Sequence, residues 1–216
     1  MGQEIQQLVK RIDVFQQSSI RIRTDKVIYA DPFDVPFPYR DADLILLTHD
    51  HYDYYSPRDL DKVRKNSTVF VVPEKLAERI QRSYGNENEV IVLRPGERAT
   101  VDGVPVEAVA AYNRLKLFHP KAAGWVGYVL TVEGLRVYIA GDTDQTRENS
   151  QVRCDLALIP IGGKFTMNPR AAAEFINQIR PQAAIPTHYG SIVGTREDGD
   201  SFRRLVDSDI MVELKL

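Results

Sequence analysis

The segment Thr48-His49-Asp50-His51-Tyr52-Asp53 directly follows the apolar run Leu44-Ile45-Leu46-Leu47. It puts two imidazoles and a carboxylate where a buried strand should end. In an extended chain alternate side chains share a face, so His49, His51 and Asp53 are expected to point the same way. Imidazole and carboxylate hold a divalent ion while leaving a position for water. The chain has four histidines. The other two, His119 and His188, also fall at expected strand-to-loop junctions. The pattern predicts a metalloprotein, with zinc the first choice and manganese, nickel or iron the alternatives.

The elements that must position these groups are legible in the hydrophobic periodicity. Ile5, Leu8, Val9 and Ile12 recur at helical spacing and predict a short helix over 3–13. Alternation over 19–30 predicts a hairpin, followed by a Pro-rich loop over 31–41. A strand over 43–48 carries the histidine motif. Ser56-Pro57-x-Asp59 reads as an N-cap, a first-turn proline and an early carboxylate, so a helix is expected over 57–65. A strand over 68–72 leads to a helix over 73–84, closed by Gly85. Strands follow near 90–93, 98–101 and 104–111, then a polar loop over 112–123 with His119, and a hairpin over 124–140 ending at Gly141-Asp142-Thr143-Asp144. The last third alternates: a strand over 155–161, a helix over 169–179, a strand over 182–186 before His188, a helix near 199–206 and a strand over 209–215. Hairpins first and strand–helix units later predict sheet layers covered by outer helices.

Bulk properties narrow the function. The 216 residues suffice for one domain, 1–216, with a sizeable core. A formal charge of −2 without a long basic run argues against nucleic acid and anionic membranes. No segment approaches the ~20 apolar residues of a membrane span, and no signal-peptide pattern opens the chain. The lone Cys154 has no partner for an intrachain disulfide and reads as an inert buried thiol, which fits a reducing cytoplasm. Oligomeric state is left open, a homo-oligomer included.

The order of the motifs adds a resemblance. Asp31-Pro32-Phe33, the T-H-D-H-Y-D stretch, Ala111-Tyr112-Asn113, Gly127-Tyr128, Gly141-Asp142-Thr143-Asp144, Ile161-Gly162-Gly163 with Thr166-Met167, and Pro186-Thr187-His188-Tyr189-Gly190 follow one another. From about residue 19 onward the chain resembles the metallo-β-lactamase superfamily. Within it, the chain looks like the stand-alone branch of Zn-dependent hydrolases that includes ascorbate-phosphate lactonase-like proteins. The resemblance implies an α+β fold, a four-layer αββα sandwich. It also implies a first metal site of His49, His51 and His119, a bridging Asp142, and a second site of Asp53, His188 and a histidine at position 54. Position 54 is Tyr54. A phenol must lose a proton of pKa near 10 to ligate, so the second ion is expected to bind weakly or not at all.

The implied activity is a metal-dependent hydrolase that directs an activated water at an ester, lactone or phosphoester of a small metabolite. Asp53 would be the catalytic proton acceptor. Tyr54, Lys164 and Thr166 are candidate substrate contacts, and Asp31 either caps a loop or supports a ligand histidine. Two alternatives stand beside this reading. One is a phosphodiesterase or nuclease, disfavoured by the absence of a basic arm. The other is a degenerate member that binds metal or ligand without turnover.

Overall fold

The computed structural model describes residues 2–114 and 116–216. Two mixed sheets stack face to face. The first contains β1 (Ile12–Val14), β2 (Ile20–Arg23), β3 (Val27–Ala30), β4 (Leu44–Leu46), β5 (Val69–Val72) and β6 (Glu89–Val92), in that spatial order. Its first three strands are antiparallel neighbours, and β3 to β6 run parallel. The second sheet contains β7 (Arg98–Val101), β8 (Val104–Ala110), β9 (Val126–Val132), β10 (Leu135–Ile139), β11 (Leu156–Pro160), β12 (Ala183–Thr187) and β13 (Met211–Val212). Strands β7 to β10 are antiparallel, and β10 to β13 parallel.

Period-two burial builds the layers. On β4, Leu44 and Leu46 face the inter-sheet core with Ile22, Ile28 and Val71, opposite Val106, Tyr128, Leu130, Val137 and Leu158 of the second sheet. The alternate residues Ile45 and Leu47 face outward and pack with Tyr29 and Phe70 against Leu60, Val63, Leu76 and Ile80. Those four belong to α2 (Pro57–Val63) and α3 (Glu74–Tyr84). The other outer face buries Tyr138, Ala157, Ile159 and Ala184 against Phe175, Ile176 and Phe202. These come from α4 (Pro169–Ile179) and α5 (Glu197–Leu205). The result is the expected helix–sheet–sheet–helix sandwich. The caps of α2 and α4 act as read: Ser56 and Asn168 each accept from the backbone N–H three residues on.

Two local expectations differ. The first helix, α1 (Gln3–Lys10), stops earlier than its apolar spacing suggests. Ile12 and Val14 instead alternate as β1, with Ile12 opposite Ile22. At the other end, β13 spans only Met211–Val212, paired with Ala183 and Ala184 of β12.

Parallel pairing has a functional consequence. The carboxyl ends of β3, β4, β10 and β12 open at one edge of the sandwich, and Asp31, His49, Asp142 and His188 lie just beyond them. Open sheets with parallel strands bind their ligands at such edges.

Candidate metal centre

Beyond Leu46 the chain does not stay extended. Tyr54 N and Tyr55 N both donate to His51 O, at 3.0 and 2.8 Å, so residues 51–55 turn back. The shared face predicted for His49, His51 and Asp53 is therefore built differently. His49 and His51 meet edge to face with ring centroids 4.7 Å apart. Asp53 is carried round to His188. His119 joins from the β8–β9 loop, 5.1 Å from the His49 ring and 4.8 Å from that of His51. One donor atom from each ring lies within 4.8 Å of the others.

These rings suit a cation. His49 Nε2 and His119 Nε2 are buried without a hydrogen-bond partner, a costly state for a lone pair unless something charged occupies the space between them. Burial pushes His49 well below the ordinary imidazole range, and burial with the His119 charge lowers His51. Neutral imidazole is the form that ligates metal.

Asp31 orients the first ring. Thr48 N donates to Asp31 Oδ1 and Thr48 Oγ1 to Oδ2, both at 2.8 Å. The same hydroxyl stands 2.9 Å from His49 Nδ1. With Asp31 ionised, the Thr48 proton is committed to the carboxylate, so His49 Nδ1–H donates to Thr48 and Nε2 presents its lone pair to the cluster. Burial pushes the Asp31 carboxyl well above its usual range, with Asp142 and Asp53 adding repulsion against the pull of the two Thr48 donors. A divalent ion nearby would oppose that rise.

The carboxylate side of the centre is equally enclosed. Asp142 Oδ2 lies 3.2 Å from His119 Nε2, out of line for a hydrogen bond, and 3.9 Å from His188 Nε2. Although burial opposes ionisation, His188, His119 and His49 hold Asp142 below the usual carboxylate range. His188 Nε2 lies 3.5 Å from Asp53 Oδ2. Burial lowers the His188 pKa, but Asp142 and Asp53 outweigh it and raise the value. Three residues of this edge, Asp31, His119 and His188, have positive φ (46°, 59° and 57°). Such left-handed backbone costs energy in a non-glycine residue, and it collects at sites where geometry matters. Gly162 leaves room for His188, since a Cβ there would stand 2.4 Å from His188 O.

The candidate substrate contacts need correction. Tyr54 is fully buried. Its hydroxyl donates to Asp142 Oδ1 and lies 3.2 Å from Ser18 Oγ, which in turn is 3.3 Å from Thr187 Oγ1. It faces a carboxylate rather than an open cleft. Burial and the Asp142 charge push its pKa well above 10, which disfavours a phenolate ligand. Thr166 is also fully buried, and its hydroxyl donates to Met167 O. Lys164 alone is exposed, with its ammonium 5.1 Å above the Phe165 ring.

Two residues with no role assigned from the sequence stand beside the centre. Trp125, the sole tryptophan, packs 4.9–5.2 Å from the His49, His51 and His119 rings. Asn113 Nδ2 donates to Phe118 O at 3.0 Å and Phe165 O at 2.6 Å, tying the His119 loop to the loop after β11. A lone tryptophan one residue after the loop glycine Gly124 was an available signal. The role of Asn113 depends on a contact 52 positions away.

A family model described as "Beta-lactamase superfamily domain" matches residues 11–188. The chain is 30% identical over 208 residues to the UPF0173 metal-dependent hydrolase TK0141 of Thermococcus kodakarensis, covering 91% of this chain and 92% of that one. It is 32% identical over 191 residues to the UPF0173 metal-dependent hydrolase Ta0764 of Thermoplasma acidophilum, covering 83% of each. Among solved structures, a protein of Parabacteroides distasonis described as a metal-dependent hydrolase superposes with a TM-score of 0.77 at 30% identity, over 95% of this chain and 92% of that one. The metallo hydrolase Igni18 of Ignicoccus hospitalis shares the fold, with a TM-score of 0.74 at 21% identity, over 94% and 93% of the two chains.

Proposed function

Because the chain belongs to the β-lactamase superfamily as a metal-dependent hydrolase, we propose that it uses the His49–His51–His119 cluster to hydrolyse an ester, lactone or phosphoester of a small metabolite. The observation that carries this reading is the pair of buried, unpartnered Nε2 atoms of His49 and His119, within ligating reach of a His51 nitrogen. The three rings would hold one divalent ion, zinc in the first instance. When bound, that ion supplies a water of lowered pKa and a polarised carbonyl or phosphoryl oxygen.

The chain's own groups do the rest. Asp53 accepts the proton of the attacking water, and His188 Nε2, 3.5 Å away, carries it onward to the leaving group. Asp142 closes the inner wall of the pocket, its Oδ2 3.2 Å from His119 Nε2 and 3.9 Å from His188 Nε2. Lys164 is the polar substrate contact that this reading retains, because it is exposed on the loop tied to His119. A second ion is weak or absent. Tyr54 stands where a histidine ligand would be needed, and its proton already occupies Asp142 Oδ1. The reading treats 1–216 as one hydrolase domain. A reducing, cytoplasmic setting belongs to it as well, supported by the lone Cys154.

The test is metal content per chain in protein purified without chelator, followed by turnover of nitrophenyl esters, lactones and a nitrophenyl phosphodiester. Stripped protein is compared with protein reloaded with zinc or manganese. One tight ion and metal-restored turnover on at least one class are expected. Stoichiometric metal with no turnover on any class would leave a binding protein and overturn the hydrolase reading.

A further inference from the structure

We infer that this centre selects a substrate carrying an apolar acyl or aryl group, held on a hydrophobic rim built by the loops that bear the histidines. The inference rests on the hydrolase reading above and names its substrate class.

Seven large apolar side chains are exposed among the described residues. Four of them, Tyr52, Leu117, Phe118 and Ile192, lie on the loops of the candidate site. Tyr52, 68% exposed, sits between His51 and Asp53. Leu117 and Phe118, 96% and 50% exposed, immediately precede His119, and Ile192, 44% exposed, lies four residues past His188. Adjacent Cα atoms are ~3.8 Å apart. Backbone next to rings that meet at 4.8 Å is therefore held close to the centre, and the exposed side chains it carries belong to the loops that surround it. A scattered exposed apolar residue needs no explanation, whereas a cluster at a polar, metal-competent cleft marks a contact surface.

The rim is also built. Tyr52 packs edge to face on Phe33, two residues past Asp31, with centroids 6.2 Å apart. Phe118 packs edge to face on Phe165 at 4.9 Å. Asn113 fixes that second pair by donating to both Phe118 O and Phe165 O. Each aromatic pair thus hangs on a loop positioned by the centre itself. Lys116 and Lys121, cations of the Phe118 loop, are already paired with Asp144 and Glu148, so the rings rather than those charges meet the substrate. An alkyl chain or ring leaving the scissile carbonyl would lie across this surface.

The test compares metal-loaded protein on γ-butyrolactone and γ-decalactone, read by a pH indicator so that no aromatic reporter competes for the rim. Half-burying six further carbons is worth about twofold per carbon. The kcat/KM ratio of long to short lactone should then be about sixty. The double variant Tyr52→Ser/Phe118→Ser should lower that ratio at least tenfold, and Leu205→Ser, on exposed α5 surface, should keep it. Binding of 2-decanone, which has no bond to hydrolyse, is followed through Trp125 fluorescence and compared with 2-butanone. Inert lactones with 2-decanone bound by wild type but not by the double variant would sink the hydrolase reading and sustain the rim. Turnover of both lactones at a ratio near one, without 2-decanone binding, would overturn the rim and leave the hydrolase. Cosedimentation with phosphatidylcholine vesicles that the double variant loses, with the lactone ratio near one in wild type, would also overturn it, by making the patch a membrane contact.

Discussion

Replacing Tyr54 by phenylalanine removes one oxygen from a wholly buried position and should alter both stability and metal stoichiometry. The Tyr54 hydroxyl donates to Asp142 Oδ1, and both groups are buried. A buried hydrogen bond to a charged group contributes about 1.5–3 kcal/mol. Metal-free Tyr54→Phe should lose about that much. In a chain of this size each kcal/mol moves Tm by ~2–4 °C, so a fall of about 3–12 °C is expected in calorimetry. The variant also frees a carboxylate oxygen. A second ion can take that oxygen beside Asp53 and His188, so excess zinc should recover part of the lost Tm. Calorimetric titration should show a second, looser ion that wild type lacks. Tyr54→His should go further, since neutral imidazole ligates without deprotonating a phenol. Refutation is direct: an unchanged metal-free Tm means the bond contributes nothing. An equal Tm loss with and without zinc, at one ion per chain in both variants, means Tyr54 only fills space.

Three further outcomes follow from the same geometry. Asp31→Asn puts an amide against the Thr48 N–H and hydroxyl that now donate to a carboxylate. The His49 ring loses its orientation, and zinc affinity should fall about 10–100-fold in a chelator competition. Gly162→Ala drives a Cβ to 2.4 Å from His188 O and 2.5 Å from Val193 Cγ2, so His188 must shift. The tight ion on the other three histidines should be retained while kcat drops about a hundredfold, as misplacement of a working group predicts. Cys154 is pushed up to about 12 by burial, with Asp155 adding repulsion. Iodoacetamide at pH 8 should label it at least about a hundredfold more slowly in native than in urea-unfolded protein. Because the thiol form is the one folding favours, its contribution is whole below the unfolded pKa and is lost as pH climbs toward 12.

What the sequence disclosed and what it hid divide along the distance between partners. The sandwich was legible because alternation is local: Leu44 and Leu46 go one way, Ile45 and Leu47 the other, and the layers follow. His49 and His51 were legible for the same reason, being two residues apart at the end of an apolar strand. Asp31 was recognised as either a cap or a support. Deciding required Thr48, which only parallel pairing of β3 with β4 brings beside it. Tyr54 lay beyond such reading. Its neighbours in sequence suggest an accessible loop tyrosine, yet the turn at 51–55 sends its ring inward to a carboxylate 88 positions away. That contact changes the meaning of the substitution. A phenol at this point is not simply a missing ligand. It donates a proton to the carboxylate oxygen that a second ion would need, so one residue removes one ligand and occupies another. A chain that merely lost the histidine could regain a second ion at high metal concentration through Asp142. This chain would also have to break a buried, charge-assisted hydrogen bond, and that added cost is the ground for proposing a single-ion centre.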